Sequence, residues 1–177
     1  MVSWKAAAAL GVVLLGLVAY LVVSQHRSAR QPPPFVSCDP ATAVLLQVQG
    51  QGRTFAMQRG NDLGEWQITQ PAREPAEGTA ADGLVESADG VQVLNTIGRP
   101  DGLGQYGLDR PRDVVTCRVK AGTSFTLTVG NPSFDGSGYY ARKEGDSRVY
   151  VISGVQVEAL ERALTAPPVS QSSNATP

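Results

Sequence analysis

The side chains able to do chemistry are few and poorly placed for it. The chain holds a single histidine, His26, at the edge of an apolar run. The remainder therefore offers no imidazole for a Ser-His or Cys-His nucleophile pair, nor for a zinc site built on histidine. Its two cysteines, Cys38 and Cys117, have neither zinc-ligand nor Cys-x-x-Cys spacing. They are compatible with one disulfide outside the cytoplasm and equally with two unpaired thiols. The acids are scattered through turns and helix faces, where solvated surface charge is a commoner role than acid–base catalysis. A carboxylate-dependent hydrolase is thus the weakest of the readings, and no catalytic set is assigned.

Gly102-Leu103-Gly104-Gln105-Tyr106-Gly107 satisfies the G-x-G-x-x-G pattern of dinucleotide-binding loops. That pattern cradles a pyrophosphate only where a buried strand feeds the loop and a helix N-terminus follows it. Here Gly98-Arg99-Pro100-Asp101 precedes and Leu108-Asp109-Arg110-Pro111 follows, so no helix can run on. We therefore expect no nucleotide, cofactor or metal.

The elements around these residues read mainly as strands. Ala43 to Gln49 and Arg53 to Arg59 flank a Gly50-Gln51-Gly52 turn, and Glu65 to Thr69 follows Gly60-Asn61-Asp62, which predicts a three-stranded meander. Val115, Cys117 and Val119 alternate with Thr116, Arg118 and Lys120; beyond Gly122, Phe125, Leu127 and Val129 alternate with Thr126 and Thr128. This is a half-buried hairpin with Cys117 on its apolar face, where a buried inert thiol is the favoured reading. Gly138 to Arg142 and Arg148 to Ile152 form a further pair. A C-terminal helix is signalled by capping-box spacing of Ser153 and Gln156, with Val157, Leu160 and Leu164 on one face. A middle helix from about Thr79 to Leu94 places Leu84, Ala88, Val91 and Leu94 on a stripe, weakened by Gly83 and Gly90 at about 1 kcal/mol each. The predicted class is α+β: an antiparallel meander and hairpin sheet with two helices packed on it, preceded by one transmembrane helix.

That preceding helix is the uncharged stretch Ala6 to Val23, which at about 1.5 Å per residue spans roughly 27 Å and can just cross a bilayer. Its length and the lack of a small-x-small site in Ser24-Gln25-His26-Arg27 favour an uncleaved anchor over a signal peptide. Lys5 on one side opposes Arg27 and Arg30 on the other, so charge alone leaves the orientation open. Of 15 basic residues these three flank the run, leaving 12 against 16 acidic ones, a net of -4. Without clustered Lys and Arg there is no nucleic-acid surface. Residues 24–34, ending in Pro32-Pro33-Pro34, read as an extended spacer, residues 35–165 as one domain, and residues 166–177 as a disordered tail. Asn174-Ala175-Thr176 matches a glycosylation acceptor, a triplet that often arises by chance.

Several segments in order, Trp66-Gln-Ile68-Thr-Gln-Pro71, Pro75-Ala76-Glu77, Tyr106-Gly107-Leu108-Asp109-Arg110-Pro111, Leu127-Thr-Val129-Gly130, Tyr139-Tyr140 and Val149-Tyr150-Val151, resemble the bacterial family called domain of unknown function 4340. The resemblance covers about Val44 to Leu164. It implies one N-terminal anchor in the bacterial inner membrane, a domain outside the cytoplasm and, for some members, association with ABC transporters of the gliding-motility type. It carries over no catalytic residues, and the Gly-rich middle helix departs from the family pattern.

Within the Tyr-Gly-Leu-Asp-x-Pro segment, Gly107 is suited to a positive φ, Pro111 to an extended run into the next strand, and Leu108 with Tyr106 to plugging the sheet edge, a structural corner rather than a binding site. Trp66 reads as core more than as a ligand platform. The leading functional expectation is a non-catalytic accessory or scaffold subunit of an envelope complex with membrane-protein partners. The alternative is an extracytoplasmic ligand-binding module using a concave face near Tyr139, Tyr140 and Trp66.

Overall fold

The structure, a computed structural model, describes residues 34–122 and 124–170. The chain divides into two units at Pro34, and the described residues all belong to the second. The anchor Ala6 to Val23, most of the spacer, His26 and the Asn174 triplet lie outside the described residues. Among the described residues no helix is long and apolar enough to cross a membrane.

The unit is α+β. Nine strands, β1 (Ala43–Gly50), β2 (Arg53–Gln58), β3 (Gln67–Gln70), β4 (Glu74–Pro75), β5 (Val93–Gly98), β6 (Asp113–Val119), β7 (Ser124–Pro132), β8 (Gly138–Lys143) and β9 (Val149–Ser153), form one sheet in the order β4-β3-β2-β1-β6-β7-β8-β9-β5. Each neighbouring pair is antiparallel. Two helices, α1 (Gly78–Asp89) and α2 (Gly154–Arg162), lie side by side, with α2 over β1 and β8.

Alternation along the strands makes the core. Leu46 and Val48 of β1, Phe55 and Met57 of β2, Val115 and Cys117 of β6, Phe125, Leu127 and Val129 of β7, and Tyr150 and Ile152 of β9 form one buried cluster with Ala81, Val85 and Ala88 of α1 and Val157 and Leu160 of α2. Each large apolar side chain removed from water contributes about 1.5–3 kcal/mol, which is what holds the helices to this face. The residues of opposite phase, among them Gln47, Thr116, Thr126, Thr128, Tyr140 and Arg142, are half-buried on the other face.

Three readings of the elements are corrected here. The middle helix stops at Asp89, with Gly90 as its C-cap, and Leu94 lies instead on β5, half exposed at 49%. A helical stripe through Val91 and Leu94 failed because Gly90 ended the helix and Val93–Gly98 gained a ladder with β9. Ser153 is the N-cap of α2, but its side chain makes no capping bond, so the Ser153–Gln156 capping box does not form. Finally, the first five residues of the expected tail belong to the domain. Pro168 C=O accepts from the Glu77 N–H at 2.8 Å, and the Ser170 N–H donates to Pro75 C=O at 2.9 Å, closing the outer side of β4.

Candidate functional site

The residues singled out by sequence fall at separate places. Trp66 precedes β3 and is 3% exposed. Its indole N–H donates to Asp82 Oδ1 of α1 at 2.9 Å, and the Arg59 guanidinium stacks on its ring at 4.4 Å. Arg59 also donates to Ala43 C=O at 2.8 Å and to Pro40 C=O. An open groove of about 610 Å³ runs past this node, lined by Arg59, Leu63, Trp66, Pro75, Glu77 and Asp82. The polar groups of Trp66 and Arg59 are therefore taken up by internal partners. Pro71 lies in the exposed turn between β3 and β4.

Tyr106 to Pro111 forms a corner. A single 3-10 turn, Gly104–Tyr106, ends at Gly107 with φ 69°, the left-handed region that favours glycine, and Pro111 leads into β6 two residues on. The G-x-G-x-x-G segment thus runs into a strand and not into a helix N-terminus. Tyr106 packs edge-on against Tyr140 at 4.9 Å, and a Cβ on Gly130 of β7 would collide with Tyr106 C=O. Leu108 is buried, whereas Asp109 is exposed and accepts only from the Arg110 N–H at 3.0 Å. The corner covers β7 and β8 inside the sheet. That corrects the expectation that Leu108 and Tyr106 plug an edge: the chain must cross from β5 at one margin to β6 at the centre, and it crosses here.

Tyr139 and Tyr140 are consecutive strand residues and so point to opposite faces. Tyr139 lies under the Arg112 guanidinium at 4.8 Å, while the Tyr140 hydroxyl accepts from the Phe134 N–H at 3.2 Å. A shared concave face with Trp66 is corrected by this geometry, because Trp66 stands by β3 on the far side of the sheet order.

Cys38 and Cys117 are joined in a disulfide with Cα atoms 6.0 Å apart, which overturns the inert-thiol reading of Cys117. The bond belongs to a wider clamp on the first described residues. Cys38 N–H donates to Asp89 Oδ1 at 2.6 Å, Lys143 Nζ donates to Phe35 C=O at 3.1 Å, and the Phe35 ring packs on Tyr150 at 4.6 Å. Residues 35–43 are thereby fastened to α1, β6, β8 and β9, and by Arg59 to the turn after β2, within one short stretch.

One cluster was missed. Asp113, its side chain 1% exposed, and Glu161 of α2 flank the Arg112 guanidinium, whose Nε lies 3.4 Å from Asp113 Oδ2 and 2.6 Å from Glu161 Oε1. Arg112 Nη2 also donates to Glu161 Oε2 at 2.8 Å. The Asp113 oxygens are buried without a hydrogen-bond partner among the described residues. Burial, reinforced by Glu161 and opposed by Arg112, pushes the Asp113 carboxyl up to about 7. The signal was in the alternation: Asp113 is in phase with Val115 and Cys117 and so must face the core. Among the described residues no three His, Cys, Asp or Glu side chains stand together as metal ligands.

With the fold in hand, the chain was compared with known proteins. The family described as domain of unknown function (DUF4340) matches residues 35–166. The chain belongs to this family. No curated protein and no solved structure matches it. The DUF4340 match takes in the clamp, the Trp66 node, the corner and both helices, so these features all lie within the family domain.

Proposed function

We propose that this DUF4340 protein is a non-catalytic accessory subunit of a bacterial envelope complex, tethered to the inner membrane through Ala6 to Val23 with its domain outside the cytoplasm. The observation that carries this reading is the clamp at residues 35–43. A domain hung from its N-terminus transmits any pull through those residues first. Here they are linked covalently at Cys38 to β6, the middle strand of nine, so a pull is delivered to the centre of the sheet and not to a peelable margin. A structural disulfide also persists in oxidising compartments and is rare where thiol reductants prevail, which supports a domain beyond the cytoplasmic membrane. The Pro-rich run 32–34 just before the clamp fits a spacer.

Two measurements test it. A cysteine placed at the fully exposed Phe134 (Phe134→Cys) should label with membrane-impermeant maleimide on intact spheroplasts; labelling only after permeabilisation refutes the external placement. Mild-detergent purification should return the chain in stoichiometric association with another membrane protein, and a chain that always runs alone refutes the accessory role.

A further inference from the structure

The helices cover one face of the sheet, and the side chains of the other face are only half-buried over its middle strands. The ladder register sets these side chains in rows across the strands. Thr54, Gln49, Val114, Thr128 and Arg142 are successive partners on β2, β1, β6, β7 and β8. Ala56, Gln47, Thr116 and Thr126 form the next row on the first four of these strands. With strands about 4.8 Å apart, the first row runs roughly 19 Å, and the second lies about 7 Å from it, two residues along each strand.

Both rows are rich in hydroxyl and amide groups, and apart from Arg142 neither carries a charge. Among the described residues no other protein group hydrogen-bonds to these side chains. Hydroxyls and amides offer donors and acceptors together. A depression of about 470 Å³ opens where the rows reach β7 and β8, lined by Thr126, Thr128, Arg142, Glu144, Asp146 and Ser147. Guanidinium and carboxylates border it together, so it selects neither an anion nor a cation. Arg118 stands one row further on, between Leu45 and Ser124. On the other side of Arg142, the half-buried rings of Tyr140 and Tyr106 pack edge-on at 4.9 Å. Phe134, fully exposed, donates its N–H to the Tyr140 hydroxyl at this margin.

We infer that this face binds a neutral saccharide chain laid across the strands. The site is independent of the tether and of the accessory role. Each sugar hydroxyl donates and accepts, as the side chains of the two rows do, and the mixed charges beside the depression serve it as donors and acceptors alike. The negative face of an aromatic ring attracts the positively polarised C–H groups of a sugar ring, which suits the tyrosine margin. A peptide added as a strand would need free backbone groups, but β1, β6 and β7 have a paired neighbour on each side. A nucleic acid would need clustered cations, and the two rows hold only Arg142.

The test titrates the full chain, in a detergent without a sugar headgroup, with cellohexaose and with chitohexaose by isothermal calorimetry. At least one should bind with half-saturation at about 1 mM or below. At about three times that concentration roughly a quarter of the unaltered chain stays free, so phenylglyoxal should modify Arg142 about 4-fold more slowly, as read by mass spectrometry. Arg162, on the helix layer, should react at an unchanged rate. Thr126→Val with Thr128→Val keeps the branched shape and should weaken binding about 5-fold or more, whereas Glu158→Gln on α2 should leave it unchanged. Failure of both hexasaccharides to bind overturns the inference. Binding that leaves Arg142 unprotected on the unaltered chain also overturns it, whether or not the double variant folds. Equal protection of Arg142 by polyglutamate assigns the face to an anionic chain and overturns the saccharide.

Discussion

Reduction of Cys38–Cys117 tests how the clamp stabilises the domain. The bridged residues are 79 apart in sequence, and the bond removes from the unfolded chain the entropy of an open loop of that length. On the chain-entropy relation this is worth about 4.5 kcal/mol at 25 °C. A unit of this size shifts its melting midpoint by about 3–4 °C for each kcal/mol, so the reduced protein should melt about 15 °C lower. Removing the bond by Cys38→Ala with Cys117→Ala should have the same effect, with slightly more loss from the small cavity each missing sulfur leaves among buried neighbours. The assay is thermal and urea unfolding of the detergent-solubilised chain, oxidised, reduced and doubly substituted, followed by far-ultraviolet circular dichroism. The urea slope should rise on reduction, because an uncrosslinked unfolded chain exposes more surface. A reduced protein that melts within about 3 °C of the oxidised one would refute the reasoning, since residues 35–43 would then be held by their hydrogen bonds and the Phe35–Tyr150 contact alone.

Two further outcomes follow from the buried cluster and the corner. The folded state holds the Asp113 carboxyl up to about 7, above its ordinary 3.8, so it binds a proton that the unfolded chain has already released. Stability therefore falls as pH rises between these two values, by about 2–4 kcal/mol for a side chain so fully buried. Asp113→Asn, which keeps the shape of the protonated acid, should flatten that slope and raise stability at pH 8; urea midpoints across pH 4–8 read it, and a slope unchanged in the variant would sink the assignment. At Gly107, alanine must both adopt a positive φ and push against Asn131, so Gly107→Ala should lower stability by about 1–3 kcal/mol in equilibrium unfolding. A loss below about 0.5 kcal/mol would mean that the corner does not hold the chain across β7 and β8.

What the sequence determined by itself is the set of local elements whose cause is local. Period-two alternation located β6 to within two residues and β7 to within three, because one face of each is packed and the other wetter, while turn residues bracketed β1, β2, β8 and β9, the last of which is buried on both faces. The spacing of Val157, Leu160 and Leu164 likewise located α2, and Gly107 announced its own left-handed turn. Even Asp113 was legible, as an acid in phase with Val115 and Cys117, although nothing nearby in sequence names Glu161, 48 residues on, as its neighbour.

The tertiary structure alone decided the rest, and the reason is distance along the chain. β5 has no pattern of its own, since all but its last residue are exposed; it is a strand only because β9 offers it a ladder. Val169 and Ser170 look like tail until β4 supplies partners for them. Tyr139 and Tyr140 look like a pair until the pleat sends them to opposite faces. The Cys38–Cys117 bond arises from bringing residues 35–43 against β6, the middle strand, across 79 residues of sequence, a juxtaposition that no local propensity encodes.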